Sequence, residues 1–135
     1  MQPTAQAHPV SSKQRWAGRI MTALPVLFLL FDSVIKFTRI DPVVQSFNQL
    51  GYPIELAIWI GVIELVCLAA YVVPGTSVLG AILLTGYLGG AIASHVRIGS
   101  PLFTHVLFPI YVAALLWGGI YLREGRLRAL VPLRA

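Results

Sequence analysis

"SVLGAILLTGYLGGAIASHV", residues 77–96, runs from Ser77 to Val96 without one formally charged side chain. A helix of about 20 residues spans the roughly 30 Å of hydrocarbon in a bilayer. In a soluble bundle a helix of this length needs a polar face, and this one has none. Lipid is therefore its expected solvent. The whole chain agrees, at 57% hydrophobic and 11% charged residues, where soluble domains average roughly 25% charged.

Working outward, Pro74-Gly75 closes a preceding apolar run at about 54–73, and "RIGSP" turns the chain into another at about 103–122. A further run, about 17–38, lies nearer the N-terminus. Its uninterrupted apolar part, Ile20 to Phe31, has the length of a signal-peptide core, and "KQRWAGR" would serve as its basic n-region. No small-x-small cleavage site follows, so an uncleaved span is expected. The segment between the first two spans, "TRIDPVVQSFNQLGYP", reads as a short loop. The fold expected is an all-α integral membrane four-helix bundle with spans at about 17–38, 54–73, 77–97 and 103–122. It occupies 15–130, between a disordered tail at 1–14 and a C-terminal tail at 131–135.

The net charge of +5 does not point to nucleic acid, because the bases lie at the chain ends and no reading motif accompanies them. Lys13, Arg15, Arg19, Arg123, Arg126, Arg128 and Arg134 flank the spans, against Lys36, Arg39 and Arg97 near the other two loops. The positive-inside rule then places both termini in the cytoplasm of a cell membrane, with a bacterial inner membrane as the expected setting. Trp16, Tyr71, Trp117 and Tyr121 are expected near the inner interface. The lone Cys67 excludes an intrachain disulfide, a CxxC pair and a cysteine-rich metal site. No metal site is expected.

With that orientation, ionisable groups from all four spans fall in the outer half. Asp32 lies roughly 9 Å below the outer end of the first span, with Lys36 one turn nearer the rim. Glu64 lies near the midplane, His95 and Arg97 close the third span, and His105 opens the fourth. Intramembrane ionisable residues are costly and turn inward to partners or to a cavity. Glu64 shares a helical face with Ala57, Gly61, Cys67 and Leu68, which make room around it. Either it carries a proton or it pairs across the bundle with Lys36, Arg97 or a histidine. Asp32, Glu64 and His95 are the candidate acid–base or proton-relay residues; Lys36, Arg97 and His105 are the candidate ligand-binding ones. For each there is a plainer role: an Asp32–Lys36 structural pair, a snorkelling Lys36, an interfacial Arg97, a capping His105. Glu55 is expected at the outer rim.

Gly86, Gly90 and Ser94 repeat at intervals of four, the spacing that lets a second helix approach closely in lipid. Packing within the bundle is expected, or alternatively a homodimer seam. His95 stands opposite Gly86 on the wheel, so the two are not expected to face one neighbour. Pro25 and Pro109 lie inside spans and are expected to kink them.

"FDSVIKF", "LGYP", "IGVIEL", "GAIASHVRIGSP" and "LWGGIYLRE" together resemble the DoxX-like family of small four-helix membrane proteins, over roughly residues 16–130. By that resemblance Lys36, Glu64, His95 and Arg97 match family positions. The resemblance implies a membrane protein, in some relatives one associated with quinone-linked redox complexes. The chain has no evident cofactor-attachment site, so a redox role would need a bound quinone or an oxidoreductase partner. Three functions are therefore carried forward. One is a redox accessory that binds quinone in the outer half. Another is an intramembrane acid–base enzyme on a lipophilic substrate, with Glu64 at its centre. The last is a non-catalytic binding or scaffold protein whose polar cluster fixes helix register.

Overall fold

The structure is a computed structural model that describes residues 11–124 and Leu127. The expected tails lie outside the described residues up to residue 10 and from 131 onward. Ser11 caps the first helix: its Oγ accepts from Gln14 N, and Gln14 Oε1 accepts from Ser11 N, both at 3.2 Å. The helix so started, α1 (Ser12–Thr38), begins earlier than the apolar pattern indicates. Capping chemistry, not hydropathy, sets that boundary.

Arg39, at a left-handed φ of 52°, turns the chain into α2 (Asp41–Leu50). This segment was expected as a loop, and it is a helix. Pro42 sits in its first turn, where a missing N–H costs nothing, and Gly51 ends it at φ 78°. Val43 and Phe47, one turn apart, bury against Ala57, while Gln45, Asn48 and Gln49 stay exposed. The helix is therefore amphipathic and lies along the bundle surface.

Next come α3 (Leu56–Val72), a tight 3-10 turn at Pro74–Thr76, and α4 (Ser77–Arg97). A single π-helical turn at Leu102–Val106 then leads to α5 (Phe108–Arg123). Pro109 was expected to kink the last span; instead it occupies the first turn of α5 and bends nothing. Pro25 does lie inside α1, and it is buried.

Every described element is helical. The stretches Ser12–Thr38, Pro74–Arg97 and Leu102–Arg123 are long and apolar enough to cross a membrane, and α3 is a shorter apolar helix of 17 residues. Their outward surfaces are apolar: Trp16, Phe31, Trp59, Val66 and Phe103 are each more than 60% exposed. Patches of this kind on a water-soluble monomer would drive association.

α1 packs against α3 and α5, and α4 packs against the same two helices, so α1 stands diagonally across from α4. In lipid such packing is driven by close van der Waals fit. Glycines provide it. A Cβ on Gly18 would stand 2.9 Å from the Gly119 carbonyl, and a Cβ on Gly119 would stand 3.0 Å from Thr22 N. α1 and α5 therefore meet backbone to backbone there. Beside this crossing the core gathers Leu29, Leu68, Leu84, Leu116 and Ile120. Tyr71 belongs to the core as well. Expected at an interface, it is fully buried and donates its O–H to the Leu116 carbonyl at 2.6 Å.

Candidate functional site: a shared lysine beside a cavity

The residues of α3 that bury are Ala57, Gly61, Glu64, Cys67, Leu68 and Tyr71. That is the face expected around Glu64, and it turns toward α1 and α4. Gly61 sets the spacing to α1. A Cβ there would lie 3.2 Å from the Ser33 carbonyl and 3.3 Å from Lys36 Cβ. With only hydrogen at that point, the two helices close far enough for Lys36 to reach across.

Lys36 resolves the alternatives left by its spacing, because it takes both partners. Its Nζ pairs with Asp32 one turn back on α1 and with Glu64 Oε2 at 2.8 Å on α3. Tyr87, from α4, donates to the same Glu64 oxygen at 3.1 Å. The Lys36 ammonium also lies 6.0 Å from the centre of the Tyr87 ring, within cation–π reach. Glu64 is fully buried, and its other oxygen, Oε1, has no partner among the described residues. An unpaired acceptor at such depth costs about 1–3 kcal/mol.

The two carboxyls differ in setting. Asp32 keeps a third of its side-chain surface exposed and borders three neighbouring cavities, whereas Glu64 is sealed. Fully ionised, the trio carries one surplus negative charge. One proton on either carboxyl neutralises it, and each carboxyl still offers Lys36 an oxygen. The arrangement thus shares one ammonium between a part-exposed carboxyl and a sealed one.

The largest of the three cavities, about 460 Å³, lies under α2 between α1, α3 and α4. Asp32, Lys36 and Tyr87 form its polar end; Phe47 and Ile60 contribute apolar wall. Gly86, Gly90 and Ser94 line this cavity and, against the expectation of packing within the bundle, no described helix of this chain seats on the two glycines. A Cβ on Gly86 or Gly90 would meet nothing within 4 Å. Both glycines are exposed, and beside them the Tyr52 hydroxyl meets Ser94 Oγ at 2.6 Å.

His95 also lines this cavity, although the wheel sets it opposite Gly86. It reaches a second cavity of about 190 Å³ as well, where its ring stands edge-to-face with His105, centroids 5.4 Å apart. The Nδ1 atoms contact Ser100 Oγ at 3.0 Å and Thr104 Oγ1 at 2.7 Å respectively. Arg97 stands apart from the cluster. Its guanidinium holds the Leu50 carbonyl at the C-terminus of α2 and tethers that helix over the cavity. Glu55, at the start of α3, is exposed. Among the described residues no group of three or more His, Cys, Asp or Glu side chains is gathered as metal ligands would be.

Sequence reasoning missed Tyr87 and Tyr52. A signal for Tyr87 was present: it precedes Ser94 by seven residues, two helical turns, and so shares the face of the small-residue stripe.

Residues 20–119 match the sequence profile of the DoxX-like family. Searches of curated proteins and of solved structures return no match. The matched region covers most of the chain and contains every residue of the Lys36 cluster, and the protein is a member of the DoxX-like family of membrane proteins.

Proposed function

We propose that this protein spans the membrane four times, with both termini cytoplasmic, and binds a small lipophilic molecule in the cavity beneath α2. The observation that carries the reading is Lys36, nine-tenths buried, on the wall of a cavity of about 460 Å³ while shared between Asp32 and Glu64. An ammonium has three donors, two of which serve the carboxylates, so one is left for an acceptor on the ligand. A structural ion pair needs neither the cavity nor the second carboxylate. The fourth crossing is α3, short at 17 residues, with α2 lying in the outer interface beside it. Basic residues at both ends of the chain support the orientation.

A quinone fits this class, and in a redox complex a partner oxidoreductase would supply the electron chemistry. An acid–base role on the bound molecule is a second reading. It is favoured by Asp32, which borders the cavity and connects through Lys36 to the sealed Glu64.

The test is the small-molecule content of protein purified with its native lipids. Mass spectrometry should find one lipophilic compound enriched over bulk lipid with the wild type and lost with Lys36→Met. No enriched compound, or equal amounts with the variant, would contradict the reading.

A further inference from the structure

We infer that a second site, at the other end of the bundle, holds the phosphate of an anionic phospholipid between Arg19 and Arg123. It lies about 25 Å along α1 from Lys36 and is independent of the ligand beneath α2.

Arg19 stands immediately before the apolar run that begins at Ile20, and Arg123 is the last residue of α5. Both therefore lie where hydrocarbon gives way to headgroups, on the side of the chain termini. A cavity of about 250 Å³ opens there between α1, α3 and α5. The two arginines line it together with the hydroxyl-bearing Thr22 and Tyr71. Val26, two turns deeper on α1, carries the wall toward the hydrocarbon.

The arginines are held in place without being neutralised. Gly18 is buried, and a Cβ there would collide with Arg123 Cγ, so the missing side chain lets the Arg123 stem lie across α1. Arg123 Nε donates to the Gly119 carbonyl at 3.3 Å, which leaves the four N–H groups of its two terminal nitrogens for another acceptor. Arg19 sets its guanidinium carbon 5.9 Å from the centre of the Trp16 ring, within cation–π reach. Among the described residues neither arginine has a carboxylate within ion-pair distance. Glu124, next in sequence to Arg123, is exposed and does not line the cavity.

Two like charges facing one cavity repel, and an anion between them relieves the repulsion. Guanidinium forks match the paired oxygens of a phosphate. Depth selects the source of that phosphate. Phospholipid headgroups already stand at this level, and the Val26 wall below suits an acyl chain. Basic pockets between membrane helices hold anionic headgroups on the same grounds. A zwitterionic headgroup would bring its own ammonium to a site with two positive charges, so a net negative one is favoured.

The test uses the full chain in detergent with phosphatidylglycerol and phosphatidylcholine of equal acyl length, read by native mass spectrometry. The wild type should retain one phosphatidylglycerol about tenfold more than phosphatidylcholine. Arg19→Gln with Arg123→Gln should lose that preference at unchanged helicity and elution. Lys13→Gln with Arg15→Gln removes the same charge from exposed positions off the cavity and should keep it. A preference that survives the first pair, or is lost equally in both, belongs to surface charge and would overturn the site. Equal wild-type retention of the two lipids would do the same, and that comparison needs no variant to fold. Glycerol phosphate displacing the lipid at equal concentration would overturn the lipid assignment, because a soluble phosphate would then suffice.

Discussion

At Gly61 a Cβ would stand 3.2 Å from the Ser33 carbonyl, whereas at Gly86 and Gly90 it would meet nothing within 4 Å. Both sets lie on apolar helices, and the second has the regular spacing associated with helix contact. The first is the one in contact. Gly61, with Gly18 and Gly119, brings backbones together; Gly86 and Gly90 hold a space open. Spacing of small residues thus reports that something approaches the helix. What approaches is decided by the element opposite: here α2 borders the gap through Ser46, Phe47 and Leu50, and both glycines stay exposed.

The comparison breaks most readily at Lys36, whose reach to Glu64 depends on the closeness at Gly61. Lys36→Met leaves Glu64 buried without its counter-charge and should cost about 3–5 kcal/mol. Thermal unfolding in detergent should register it. Lys36→Met combined with Glu64→Leu should recover much of that loss, because the sealed charge is gone and only the part-exposed Asp32 is left without its partner. If the double variant is no better than the single one, the two residues are not a coupled pair.

A smaller effect follows from overpacking the tight set. Gly119→Val forces a branched side chain onto Thr22 and should destabilise by about 1–3 kcal/mol. Unchanged unfolding would mean that α1 and α5 do not cross there. The smallest effect has the opposite sign. Gly90→Ala adds a methyl group to open space in a helix interior and should stabilise by about 0.5–1 kcal/mol, the ordinary gain in helix propensity. A loss at Gly90 as large as that at Gly119 would erase the distinction between the two sets.

Much of this was legible in the sequence. The uncharged stretch 77–96 gave away the solvent, and the 3.6-residue period placed Glu64 on the face with Ala57, Gly61, Cys67 and Leu68 that the fold buries. Helix α2 was not read, because its hydrophobic positions are few and Pro42 resembled a loop signal. Pro42 in a first turn, Gly51 at the end and Val43–Phe47 one turn apart were nonetheless helix signs. The partner of Lys36 could not be read at all: Asp32 is local, but Glu64 depends on α3 lying beside α1, and helix order leaves no trace in one chain. Arg97 was grouped with the cluster by depth, and lateral position separates them, since its guanidinium serves the end of α2.

The central claim is that the space above Gly86 and Gly90 is a ligand site with Lys36 on its wall. An experimental structure of the protein extracted with its native lipids tests it most directly. The account predicts non-protein density against Gly86 and Gly90, with one end within hydrogen-bond distance of Lys36 Nζ. A helix packed down onto those glycines, whether α2 or one from a second copy, with the cavity closed, would contradict it.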